Sequence, residues 1–248
     1  IQKSSNIGSA KIAIEHLGNE KLYKYVRDFG FGMRTGIPLP GEVNGIVHPT
    51  KNWSKISIAQ IPMGHGLTAT PLQMVMAMSA IANEGRLMRP MLVKRLQDED
   101  GNVVAEYQPQ FARQVVSETA AREMVQALKA VTREGGTGTK ARLEHYTVAG
   151  KTGTAQKVGK DPVTGKMRYI QGKYYASFIG FFPADYPELC ISVVMDEPRN
   201  GYYGGQTAGP TFKNIAEKAA RYLNIRPDIE PESAVDALAA ANAGRGRR

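Results

Sequence analysis

The stretch Tyr146-Thr147-Val148-Ala149-Gly150-Lys151-Thr152-Gly153-Thr154 decides the fold. It is free of proline and mixes β-branched, aromatic and small residues, which reads as a strand. Two further strand patterns follow at Tyr174 to Phe182 and Leu189 to Met195, joined by the turn Pro183 to Pro187. Phe212, Ile215, Ala219 and Leu223 then recur at helical spacing. Three strands followed by one amphipathic helix predict an α+β fold, an antiparallel sheet flanked by helices. Residues 155–173 are polar and rich in Gly and Lys, and are expected to form a mobile loop.

Upstream, helices are marked by period and caps. Ile7, Ala10, Ile14 and Leu17 predict one face of a first helix, with Gly18 as its stop. Asn19 caps a second, with Leu22, Val26 and Phe29 inward and Gly30 at its end. Thr70-Pro71-Leu72-Gln73 reads as N-cap, Pro at the first helical position and a capping-box Gln, opening a helix to about Gly85. Ser117 opens another, striped by Ala121, Met124, Leu128 and Val131. Met91 to Leu96 and Val103 to Tyr107 flank a turn signal and predict a hairpin. From Arg226 the chain turns Pro-, Ala- and Arg-rich, so the expected organisation is one domain over 1–225 and a flexible tail over 226–248.

Composition narrows the function. The chain has 248 residues, 42% of them hydrophobic, and no apolar run long enough to span a bilayer. A formal charge of +9 favours anionic partners. The basic residues are dispersed, however, so nucleic acid is not expected as a partner. The single cysteine, Cys190, lies in an apolar run and reads as a structural thiol. The four histidines show no ligand spacing, and neither a metal nor a cofactor is expected.

Two nucleotide-binding readings fail. Gly150-Lys151-Thr152 would need a glycine at position 145 to make a phosphate loop, and that residue is His145. Gly30, Gly32 and Gly36 are spaced one residue too long for a dinucleotide fingerprint and follow a helix rather than a strand. The lysine, threonine, glycine and threonine of 151–154 instead suit a reacting acyl group. Lys151 supplies a cation, Thr152 and Thr154 share a strand face from which both hydroxyls can grip a carboxylate, and Gly153 allows close approach. Ser4-Ser5-Asn6 is by itself an ordinary helix cap. An SxN element followed by KTG, however, is the order found in penicillin-interacting serine enzymes.

With these motifs stand other ordered blocks: SSNIG (4–8), TGIPLPGE (35–42), MGHGLTATPLQ (63–73), EGGTGTKA (134–141), VAGKTGTAQK (148–157), FIGFFPAD (178–185) and YGGQ (203–206). Over about residues 3–223 the chain resembles the transpeptidase domain of class B penicillin-binding proteins, and most of all the division-specific branch and its sporulation relatives. The resemblance implies a penicillin-binding, serine β-lactamase-like transpeptidase fold, incomplete here on its N-terminal side. No serine in the chain begins an SxxK motif. The nucleophile is therefore expected upstream of Ile1, in a missing N-terminal part of the same protein, and the chain alone is expected to be inactive.

The implied reaction is D,D-transpeptidation of peptidoglycan stem peptides through a serine acyl-enzyme, which β-lactam antibiotics would intercept. Ser4 would relay protons. Asn6 would hold the substrate amide and orient the missing lysine. Lys151 would supply positive potential. Thr152 and Thr154 would bind the terminal carboxylate beside Gly153, and the Thr154 N–H would be an oxyanion donor. The resemblance also implies division or cell-wall synthesis proteins as partners. It places the chain at the periplasmic face of the inner membrane, anchored by a segment absent here. A catalytically inactive scaffold and a D,D-carboxypeptidase are the alternatives. Gly64-His65-Gly66 and Tyr202 to Gly205 read equally as turns near the cleft or as glycines serving the fold, and Trp53 reads as packing.

Overall fold

The structure, a computed structural model, describes residues 1–199 and 201–229. Helix α1 spans Asn6–Ile12, continues into a π-helical turn over Ala13–Leu17, and is followed by α2, Gly18–Asp28. Short strand β1 (Ile46–Val47), the single turn α3 (Ser57–Gln60) and β2 (Leu67–Thr68) lead to α4, Pro71–Ala82. Then come β3 (Arg86–Met88), the hairpin β4 (Arg95–Gln97) and β5 (Val103–Glu106), β6 (Phe111–Gln114), and α5 (Glu118–Lys129). The last third holds β7 (Ala149–Lys160), β8 (Met167–Phe182), β9 (Leu189–Asp196) and α6 (Gly204–Leu223).

Strands β7, β8 and β9 form one antiparallel sheet in that order, leaving β7 at an edge. Alternation along β8 builds the layers. Phe178 and Phe182 point to α6, where they pack with Phe212, Ala208, Ala216 and Ala220. The Phe178 and Phe212 rings meet edge to face at 4.7 Å. Phe181 points the other way, toward Val125 and Leu128 of α5 and Met78 and Ile81 of α4. The sheet is thus covered on both faces by helices, as the α+β pattern predicts.

Two caps behave as read, but Asn19 does not cap α2: that helix already begins at Gly18, with Leu17 at its N-cap position and no side-chain cap. Thr70 and Gln73 form a reciprocal capping box, and the Ser117 hydroxyl accepts from Ala120 N–H. The hairpin pairs Arg95 with Glu106. Trp53 packs beside Leu22 and Ile61 and donates its indole N–H to His48 O. Cys190 packs against the α4–α5 side of the sheet, where burial pushes its thiol up to about 11.

Three further expectations are corrected. Residues 155–173 are not a loop. The ladder continues through Val158–Tyr169 and Lys160–Met167, and only the turn 161–166 is left, closed by Asp161 accepting from Val163 and Thr164 N–H. Lys157 fastens this ribbon to Asp196 and Glu197 at the end of β9. In α1 the isoleucines do not face inward: Ile7 is 77% and Ile14 55% exposed, while Ala10 and Ala13 are buried. The π turn breaks the 3.6-residue stripe there. In α6 the buried stripe is Ala208, Phe212, Ala216 and Ala220, with Ile215 and Leu223 outside. Its small side chains let the helix lie close to the sheet, which a search for large apolar residues misses.

Before β7, Tyr146 donates to Ile225 O and Thr147 N–H to Asp228. Residues up to Ile229 therefore still bind the domain. The rest of the expected tail, 230–248, lies outside the described residues.

Candidate active site

The segment before α1 divides its work among neighbouring side chains. Ser5, not Ser4 or Asn6, caps the helix: its hydroxyl accepts from Gly8 N–H at 3.1 Å. That leaves Ser4 and Asn6 free of capping duty. Ser4 takes a left-handed backbone, φ 52°, which is costly for a residue with a side chain and marks a held conformation. The segment is fixed from the side by Gln2, whose carbonyl accepts from Thr137 N–H and whose amide donates to Glu134 O.

Held this way, Ser4 Oγ lies 2.8 Å from Lys151 Nζ. Lys151 is half-buried near the start of edge strand β7, and its ammonium also donates to Thr152 O at 2.7 Å. No carboxylate pairs with it among the described residues. Desolvation therefore pushes its pKa below the usual lysine value. A cation short of counter-charge, bonded only to neutral oxygens, is poised to receive an anion.

Period-2 alternation puts Thr152 and Thr154 together on the face that carries α6, and Lys151 on the opposite one. The lysine comes back to the threonines round the free strand edge, through its bond to Thr152 O. Thr152 Oγ1 lies 2.8 Å from Thr137 Oγ1, and Thr154 Oγ1 accepts from Gly204 N–H at 3.1 Å. The threonine pair thus sits at the N-terminus of the 20-residue α6, where backbone N–H groups and the helix dipole favour negative charge.

Glycines bring these pieces to contact distance. A Cβ on Gly204 would stand 2.2 Å from Ser177 O and 2.3 Å from Gly153 O, and one on Gly205 1.9 Å from Thr137 O. A Cβ on Gly153 would stand 2.4 Å from Ser177 Oγ. Gly153 is therefore required first by its own sheet, and Gly204 and Gly205 by the seating of α6. Tyr202 stacks on Tyr174 at 4.5 Å and touches Tyr203, forming an aromatic wall just before α6. Gly64-His65-Gly66 is a turn with both glycines left-handed, and it presents His65 Nδ1 to Tyr169 OH at 2.6 Å.

The structure brings together Ser4, Lys151, Thr152, Gly153 and Thr154. Asn6 lies at the exposed start of α1, and its side-chain amide has no hydrogen-bond partner among the described residues. Thr137 is the contributor that sequence reading missed. The signal was the glycine spacing of 135, 136 and 138 around it: a Cβ on Gly138 would press on Phe178 at 2.8 Å. Among the described residues no three His, Cys, Asp or Glu side chains converge to hold a metal, and no helix is long and apolar enough to cross a membrane.

Residues 1–217 match the protein family described as "Penicillin binding protein transpeptidase domain". The chain is 41% identical over 229 residues to stage V sporulation protein D of Bacillus subtilis (strain 168), a match covering 92% of this chain and 34% of that protein. It is 35% identical over 228 residues to the probable peptidoglycan D,D-transpeptidase PenA of Neisseria meningitidis serogroup A / serotype 4A (strain DSM 15465 / Z2491), covering 92% and 36%. The crystal structure of penicillin-binding protein 3 from Mycobacterium tuberculosis complexed with ampicillin superposes with a TM-score of 0.81 at 36% identity, over 93% of this chain and 51% of that one. The chain thus spans about a third of the length of these curated relatives.

Proposed function

We propose that this chain, which belongs to the class B penicillin-binding protein transpeptidase family, supplies the substrate-carboxylate and proton-relay half of a peptidoglycan D,D-transpeptidase centre. The observation that carries the reading is the unpaired, desolvated Lys151 ammonium bonded to Ser4 Oγ, beside two threonine hydroxyls at a helix N-terminus. The names of the relatives, a D,D-transpeptidase among them, support the same chemistry.

In this reading the nucleophile is the serine of an SxxK element outside these 248 residues. Its hydroxyl gives its proton to the lysine of the same element as its oxygen attacks the penultimate D-Ala carbonyl of a stem peptide. That proton is the one later passed on to the leaving amine. The tetrahedral oxyanion is held by two backbone N–H donors, of which Thr154 provides one; losing such a donor costs about 10²–10³-fold in rate. The C–N bond then breaks, and the departing D-Ala amine takes a proton through Ser4. Ser4 can pass that proton because its oxygen already accepts from Lys151 and its own hydrogen remains free to donate. An amine of a neighbouring stem attacks the ester carbonyl, forms the cross-link and returns the serine.

Lys151 and the hydroxyls of Thr152 and Thr154 hold the terminal carboxylate of the donor, and Asn6 holds its amide. A β-lactam carries a carboxylate and a strained amide in the same relation and acylates the same serine; one relative is solved with ampicillin. Such a reaction belongs on the extracytoplasmic side of the membrane, where peptidoglycan is built, and serves division or sporulation.

The test is a product assay on the full-length protein that contains this chain, given a D-Ala-D-Ala stem peptide and an amine acceptor. Release of D-Ala with a cross-linked product of matching mass is expected. Release with hydrolysed product alone means a carboxypeptidase, and no release means a scaffold; either overturns the proposal.

A further inference from the structure

Away from the cleft, a cavity of about 370 Å³ opens between the end of α2, the 30–36 loop, α4 and the β3–β6 pair. Its size falls within the range of pockets that take small ligands. Phe29, Met33, Met76, Leu87 and Met88 make its apolar lining. Arg34, Arg89 and Arg113 line it too, and no acidic side chain does. None of these three arginines is in an ion pair among the described residues. Glu42 feels the charge of Arg34, but its carboxylate oxygens are taken up by Thr35 and Gly36.

The walls are built rather than fluid. Gln73, only 2% exposed, donates to Met33 O at 2.7 Å and Asn44 O at 2.8 Å while its own oxygen accepts from Thr70 N–H. This fixes the 30–36 loop against α4. Arg113 is half-buried and is aimed by its Nε–H bond to Asp28 O at 2.6 Å, at the C-terminal end of α2. Its Nη2 also donates to Arg27 O, at a long 3.5 Å, which leaves the other terminal N–H groups for a ligand.

We infer that this cavity is a binding site for a small amphiphilic oxyanion: a carboxylate or phosphate monoester on a compact apolar body. The body would lie on the methionines, Phe29 and Leu87. The oxyanion would meet Arg34 and Arg89 at the mouth, both exposed, with Arg113 behind them. The site shares no residue with the Ser4–Lys151 cleft, and the inference does not rest on the reaction proposed for that cleft.

The full-length protein is titrated with 1-naphthoate, 1-naphthyl phosphate and the neutral 1-naphthalenemethanol, each followed by ligand-observed NMR. Saturable binding of at least one anion, about tenfold tighter than the alcohol, is expected. Arg34→Gln/Arg89→Gln should weaken the anion about tenfold or more and leave the alcohol unchanged. Met33→Trp, which fills the cavity, should weaken all three while the melting temperature reports that the protein is folded. Binding should be the same after the protein has been treated with penicillin. Equal affinity for anion and alcohol, indifference to both variants, or loss of binding on penicillin treatment overturns the inference.

Discussion

Lys151 Nζ and Ser4 Oγ are 2.8 Å apart in space and 147 positions apart in sequence. The distance is set by two independent scaffolds: the edge strand that carries the lysine, and the Gln2–Thr137 bridge that holds the segment before α1. Because the lysine has no carboxylate partner among the described residues, its charge is available to a ligand.

The first prediction concerns pH. Acylation that needs the protonated Lys151 should fall on the alkaline side with an apparent pKa below the ordinary lysine value of 10.5, because desolvation depresses it. With the folded pKa below the unfolded one, the unfolded chain binds more protons between the two values, so stability rises with pH through that window. Below the folded pKa the desolvation penalty is present in full. The stability difference between wild type and Lys151→Met should therefore move in favour of wild type as pH climbs toward 10.5. Denaturant melts at stepped pH measure it; a difference flat with pH speaks against a desolvated ammonium.

The second concerns carboxylate recognition. Thr152→Val keeps the branching of the side chain but removes the hydroxyl that faces Thr137. Losing a hydrogen bond to a charged group costs about 1.5–3 kcal/mol. The preference of the full-length protein for a carboxylate β-lactam over its neutral amide should shrink by about tenfold or more. Acylation rates of both ligands in wild type and variant decide it.

Thr154 should behave differently, because its hydroxyl is also the acceptor for Gly204 N–H. Thr154→Val leaves that donor unsatisfied and should cost about 1–3 kcal/mol of stability, whereas Thr154→Ser should restore it. Strand alternation alone would have left the melting temperature of the valine variant nearly unchanged. An unaltered melting temperature in Thr154→Val would remove the link between strand β7 and the start of α6.

Gly205→Ala places a Cβ that would stand 1.9 Å from Thr137 O, a backbone atom with little room to give. Overpacking of this kind costs about 1–3 kcal/mol. Since Thr137 in turn meets Thr152, penicillin acylation should slow together with the fall in melting temperature. A variant with wild-type values for both would mean that α6 does not seat on the 134–138 loop as described.

Much of this was legible in the sequence where local chemistry decides. Thr70 and Gln73 announce their capping box, and the alternation around Phe178 to Phe182 gives a two-sided strand. Motif order places Ser4 and Lys151 each in the site, but that the two touch is encoded by no local pattern and shows only in the fold. What was missed depends on tertiary contact. The 155–173 ribbon is polar because both its strands leave the core, and pairing with each other and Lys157 holds them. Apart from Phe212 the buried stripe of α6 is alanine and glycine, so most of its burial shows only once the sheet lies beneath it. Thr137 is marked in the sequence only by the glycines around it, and what they signal becomes readable once Gly136 and Gly138 fold it onto β7.

The most direct measurement is the rate of acylation of the full-length protein by a fluorescent penicillin, wild type against Lys151→Ala, with peptide mapping of the labelled serine. The account predicts a label on a serine outside residues 1–248 and a fall in rate of about 10²–10³-fold or more in the variant, with the melting temperature largely kept. A label on a serine within this chain, or a variant that reacts within about twofold of wild type against that expected loss, would contradict it.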